Sequence, residues 1–283
     1  MRPAFVCTAL LFAFSQNPGQ AGPAKWGPTP EEELERQGIA IDSRSLASLA
    51  TTSSLDADTR RLTILALARK GDPAHVGLLT SLLTDSDASI RGAVVQGLGH
   101  LRATSAVPDL QTAAKADPDV EVRQLAVGAI GTIGGASAAD ALLAIASDVA
   151  CDQQLRIDAL GFLAGGAPVF SLQDHERLVE ILRDGDRSVR TLAAVALSRT
   201  RNPAAVPVLV ESALHPATEE WMRDHAIRSL EDMIESLDTG YIGQFGQAAR
   251  GDARSEALTN LAQWWKENRA IYVNDANEAE ARD

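Results

Sequence analysis

Aromatic residues are scarce in this chain, at 4% of 283 residues, although hydrophobic residues as a whole reach 45%. A single globular core of that size normally needs more ring area. Small aliphatic residues must carry the packing instead, as they do where helices sit close together. Basic residues are also in short supply, 26 Lys and Arg against 38 Asp and Glu, with a formal charge of −12 and a pI near 4.9. That balance argues against a phosphate backbone as partner, because nucleic-acid binding rests on a basic surface. Cysteine is limited to Cys7 and Cys151. Long apolar runs are missing too, apart from Ala4 to Phe14, which is too short to cross a bilayer as a helix.

That run has another use. Preceded by Arg2 and followed by Ala13-Phe14-Ser15, it has the form of a signal-peptide core with small residues at a cleavage site. Residues 1–15 are therefore expected to be a signal peptide, with Gly19-Gln20-Ala21 offering an alternative cleavage after residue 21. Cys7 lacks the small-residue context of a lipoprotein site, so no lipid or other stable membrane anchor is expected. Removal of the leader leaves Cys151 alone, which rules out an internal disulfide in the mature chain. Residues 16–28 read as a Pro/Gly linker and residues 270–283 as a polar, acidic, frayed tail.

Between them the sequence repeats itself. Arg60, Arg91, Arg123, Arg156, Arg190, Arg223 and Arg254 recur every 31–34 residues. Four residues before the first six stands an acid: Asp56, Asp87, Asp119, Asp152, Asp186 and Glu219. Three residues after each Arg the side chain is short, and seven after it is aliphatic, as at Ala126 and Ile130. An acid at that place caps a helix by accepting from its free N–H groups and suits the positive end of the helix dipole. The Arg one turn later can pair with that carboxylate or with its neighbour's, which predicts a ladder of ion pairs along the stack. Positions −1, +3, +7 and +10 share one helical face, as Ile90, Val94, Leu98 and Leu101 do. Gly or Pro closes each unit, and a second helix opens at Ala106-Val107-Pro108 and Ala205-Val206-Pro207.

The stretch Asp119 to Gly131, Asp-x-x-Val-Arg-x-x-Ala-x-x-Ala-Ile-Gly, closely resembles the HEAT repeat in its short bacterial form, which phycobilin lyases also contain. The resemblance spans roughly residues 40 to 269. It implies an all-α fold, a right-handed, armadillo-like α-solenoid (an α-α superhelix) of stacked helical hairpins, with about seven units over residues 29–269. It also implies that the Arg-bearing helices line the concave side. Its C-terminal ending also resembles that of secreted bacterial HEAT proteins. Thr29-Pro30-Glu31-Glu32-Glu33 starts an acidic capping helix, and Trp264-Trp265 covers the far end or else docks a partner.

Chemistry is thin along this sequence. His75, His100, His175, His215 and His225 share no metal-ligand spacing, so neither metal nor cofactor is expected. His175-Glu176 is a single dyad, whereas the iron-dependent HEAT hydroxylases need several. No nucleophile elbow, phosphate loop or dinucleotide fingerprint occurs. Cys151 reads as a loop residue rather than a nucleophile, and Trp221 as packing.

The positions opposite the core stripe are +1, +5 and +8 from each Arg. In the middle units these are Gly92, Gln96, Gly99; Gln124, Gly128, Gly131; Ile157, Gly161, Ala164; and Thr191, Val195, Ser198, none of them charged. Gly99 and Gly131 match the repeat consensus and read as structural. The end units carry Arg61, or Asp224, Arg228 and Glu231. The expectation is a smooth neutral floor that accepts an extended polypeptide or a partner helix, with tight curvature as the plain alternative explanation of the small residues. Gln96, Gln124, Gly128, Ile157, Gly161, Thr191 and Val195 are the candidate contacts. The sequence thus points to a monomeric, non-enzymatic scaffold outside the cytoplasm, with a protein partner and no nucleic acid. Its rivals are an enzyme or enzyme subunit resembling phycobilin lyases and a glycosylase of the alkylpurine type, which needs a basic groove.

Overall fold

The computed structural model of the chain describes residues 28–165, 172–236 and 252–280. The expected signal peptide, the linker and the loop around Gly240 lie outside the described residues, and so does the side chain of Arg254. Every regular element described is a helix. In order they are α1 (Pro30–Arg36), α2 (Ser43–Ala50), α3 (Ala57–Arg69), α4 (Val76–Ser81), α5 (Ala88–His100), α6 (Val107–Ala116) and α7 (Val120–Ile133). Then follow α8 (Gly135–Ala146), α9 (Gln153–Gly165), α10 (Leu172–Ile181), α11 (Arg187–Ser198), α12 (Ala205–Leu214), α13 (Glu220–Ser236) and α14 (Asp252–Glu280). The last helix runs on to Glu280. The polar stretch from Asn274 to Asp283, expected to fray, is helical as far as Glu280.

The stack has two layers. The Arg-bearing helices α3, α5, α7, α9, α11 and α13 pack on one another in order, and each also packs on the helix that precedes it in the chain. Second-layer neighbours such as α6 and α8, or α8 and α10, touch each other less. The Arg helices are thus the layer with the more extensive helix-to-helix contact, the one that the HEAT resemblance implies to be the inner layer.

Small residues make that approach possible. The +3 residues Thr63, Val94, Ala126, Ala159, Ala193 and Ala226 are all fully buried, as are the +7 aliphatics Leu67, Leu98 and Ile130. A Cβ on Gly97 would stand 3.0 Å from that of Ala68, and one on Gly99 would stand 3.1 Å from the backbone of Ala129. One continuous apolar core runs the length of the stack with few rings in it.

The ends are closed differently. At the start, Thr29 and Glu32 form a reciprocal capping box with Pro30 in the first turn, and α1 lays Leu34 into the core against α3. At the other end α14 packs on α12. Trp264 is fully buried there, with Trp265 and Tyr272 around it at ring separations of 5.9–6.3 Å. This aromatic cluster covers a face that a further repeat would otherwise occupy.

Candidate functional site

The repeated acids do cap helices. Asp56 accepts from the Thr59 amide, Asp87 from Ser89, Asp119 from Glu121 and Val122, Asp152 from Gln154, and Asp186 from Val189. Glu219 departs from the set: its carboxylate accepts from the Trp221 indole Nε1 at 2.6 Å.

The Arg partners differ from those expected. The carboxylates that the arginines hold are not the caps but the acids two positions before them. Arg60 binds Asp85 at 2.7 Å, Arg91 binds Asp117 at 2.8 Å, and Arg156 binds Asp184. Each pair joins one repeat to the next. The same Asp also accepts from the amide of the following cap, 2.8–2.9 Å in all three cases. The signal was present in the sequence as Asp85-Ser86-Asp87, Asp117-Pro118-Asp119 and Asp184-Gly185-Asp186. Arg190 takes Glu211 from α12 at 3.2 Å, and Arg223 takes the carbonyls of His215, Pro216 and Thr218. The Arg91 and Asp117 side chains are only 9% and 6% exposed. The Arg91 hydrogen bond holds the Asp117 carboxyl below its ordinary range against the effect of burial. Burial is the strongest single effect on Asp85 and Asp184 and opposes their ionisation, but the Arg60 or Arg156 bond and charge together with the bond from the Asp87 or Asp186 amide outweigh it.

The candidate floor divides into three kinds of position. Gly92, Gly99 and Gly131 face the next Arg helix: a Cβ on Gly92 would come 3.3 Å from Leu125, and one on Gly131 would collide with the Phe162 ring. These glycines serve packing. Thr191 and Val195 are not on an open floor. Residues 191–198 of α11 are all buried, and the Thr191 hydroxyl lies 2.6 Å from that of Ser212 on α12. A helix packed on every side has no face to offer.

On α7 and α9 the expectation fits better. Gln124 and Gly161 are exposed, Gly128 and Ile157 are half-buried, and a Cβ at Gly128 or Gly161 would meet nothing within 4 Å. Gln96 on α5 is half-buried. This open strip is not uniformly neutral. Asp158 shares it and accepts from Gln154 Nε2 at 2.9 Å, and its carboxyl is pushed up by burial, with the Asp152 charge adding to the shift. Its +2 place was outside the register used to choose the floor positions. At the far end, burial also pushes Glu231 up.

The remaining candidates fall out as follows. The Cys151 thiol is pushed up by burial and by nearby Asp148, which leaves less thiolate and not more. Trp221 is 45% exposed, with His225 edge-on at 5.9 Å, so it does not pack into the core as expected. Among the described residues no cluster of three His, Cys, Asp or Glu is placed to hold a metal ion, and no helix is long and apolar enough to cross a membrane.

The sequence pattern that defines HEAT repeats matches residues 44–116, 78–164 and 173–239, more than half of the chain. Among curated proteins none matches in sequence. The Escherichia coli protein YibA superposes with a TM-score of 0.52 at 16% identity, over 81% of this chain and 84% of its own. The archaeal HEAT-like repeats protein from Thermococcus onnurineus NA1 gives 0.51 at 14% identity, over 79% and 98%. The CpcE–CpcF complex of phycocyanin lyase from Nostoc sp. PCC7120 gives 0.35 at 18% identity, over 86% and 98%, a likeness too loose in shape to carry an argument. At these identities the resemblance concerns the fold alone.

Proposed function

This chain belongs to the HEAT-repeat family, and from that premise we propose that it is a non-enzymatic binding module that holds a polypeptide on its inner face, outside the cytoplasm. A solenoid exposes a long surface per residue instead of closing around a pocket. The observation that carries the reading is the open space over Gly128 and Gly161. Glycine inside a helix costs roughly 1 kcal/mol against alanine, and at these two places no neighbour in the fold requires it. A partner backbone or helix lying close over α7 and α9 would. Gln124, Gln154 and Asp158 supply hydrogen-bonding groups along that strip, and Ile157 an apolar one. The Ala13-Phe14-Ser15 site supports export.

Two measurements test this reading. The Gly128→Glu/Gly161→Glu double variant should keep its circular-dichroism spectrum and lose the polypeptide that a photo-crosslinker at Gln124 captures from the envelope fraction. Unchanged capture by a folded variant refutes the inner-face site. N-terminal sequencing of the mature protein should begin at residue 16 or 22, and an intact Met1 refutes export.

A further inference from the structure

The junction between α7 and α9 lacks the acid that the three filled junctions contain. Where Asp85, Asp117 and Asp184 stand two places before a cap, Ala150 stands two places before Asp152. The Arg that should meet it is nevertheless set as if it were there. Arg123 Nη1 donates to the Asp117 and Pro118 carbonyls at 2.8 and 3.5 Å. Arg91 Nη1 donates to the Asp85 and Ser86 carbonyls in the same way, at 2.8 and 3.3 Å. In Arg91 the other edge, Nε and Nη2, grips both oxygens of Asp117 at 2.8 Å each. Among the described residues that edge of Arg123 makes no hydrogen bond, and neither does the Asp152 amide. These are the two donor sets that Asp117 satisfies one junction earlier through Arg91 and the Asp119 amide. Arg190 meets the same lack of an acid, at Ala217, by taking Glu211. Arg123 has no such substitute. It lines a cavity of about 420 Å³ with Lys115, Ala150, Cys151 and Asp152.

We propose that this cavity is a carboxylate-binding site, in which the Nε–Nη2 edge of Arg123 and the Asp152 amide hold a carboxylate that the chain itself does not provide. A guanidinium edge matches the two oxygens of a carboxylate in one plane. A doubly charged anion fits less well. Asp117, Asp148 and Asp152 are close by, and Lys115 is already paired with Asp148 at 2.8 Å. The carboxylate comes either from a free small acid or from a polypeptide, and Val149, 81% exposed in the same loop, offers an apolar contact to the latter. The site does not depend on the inner-face reading, because it lies at the loop edge between repeats.

The test uses the ¹⁵N-labelled full chain, following the Asp152 amide and the Arg123 Nε–H. Sodium acetate, titrated against sodium chloride at matched ionic strength, should shift both signals saturably. The acetylated and amidated peptide Thr-Asp-Ser-Asn-Ala, this protein's own filled loop reduced to one carboxylate, distinguishes the sources. Binding at least tenfold tighter than acetate assigns the site to a polypeptide, and equal affinity assigns it to a small acid. Ala150→Asp supplies the carboxylate from within. It should raise the Tm by about 2–4 °C and weaken the acetate response at least tenfold. Absence of a saturable shift at either group, or an undiminished response in Ala150→Asp, overturns the proposal. That variant alters only an exposed loop position, so the test does not depend on removing Arg123 from the fold.

Discussion

The junction between α5 and α7 and the one between α7 and α9 are built from the same parts, and one carboxylate separates them. In the first, Arg91 and Asp117 are almost wholly buried and fully bonded. In the second, Arg123 keeps its carbonyl anchors and lines a cavity with no carboxylate among the described residues bonded to its remaining edge. The comparison teaches that the carbonyl anchors set the guanidinium pose and the acid only completes it. A repeat can therefore lose its acid without losing its geometry, and a site for an outside group is what remains.

The largest expected effect breaks the filled junction. Arg91→Ala leaves the Asp117 carboxylate buried without its partner and should lower unfolding stability by about 3–5 kcal/mol, measured by urea denaturation. Arg123→Ala removes no ion pair and should cost clearly less. Equal losses would erase the contrast between the two junctions.

Acid sharpens the same contrast. The folded-state pKa values of Asp85, Asp117 and Asp184 lie below the ordinary carboxylate value. The stability they contribute is therefore complete above that value and is lost as pH falls through the depressed one. The urea midpoint should drop on acidification below about pH 4, less so in Arg91→Ala, and more steeply in Ala150→Asp. A midpoint that falls equally in all three proteins would contradict this assignment.

Smaller effects come from the glycines. Gly131→Ala drives a methyl into the Phe162 ring and should cost about 1–3 kcal/mol. Gly128→Ala, one turn away and in open space, should instead stabilise by up to about 1 kcal/mol. A loss at both positions, measured by thermal unfolding, would mean that the strip over α7 is covered by the protein itself.

Much of the scaffold was legible in advance because its causes are local. A cap needs an acid two or three residues from the amides it accepts, so Asp56, Asp87, Asp119 and Asp186 could be assigned from spacing alone. The buried +3 and +7 positions follow from the period of one helix. The candidate site was legible only in part. Gly131 could be set apart from Gly128 by the repeat consensus, but the reason, Phe162 a repeat away filling the space beside it, lies in the tertiary structure. Thr191 and Gln124 hold the same place in their repeats, yet Ser212 on α12 meets the first while the second stays exposed. Asp158 stands at +2, a place that the helical register alone does not assign to the open strip.

Periodicity by itself determined the class of fold, the helix starts and the side of each helix that enters the core, since all three depend on residues within a few turns of one another. Which carboxylate each arginine grips, which glycine is crowded and which is bare, and where a donor edge is left over were decided only when the repeats stacked. Those contacts join residues some 21 to 31 positions apart, and their geometry exists only once neighbouring helices have fixed each other's place.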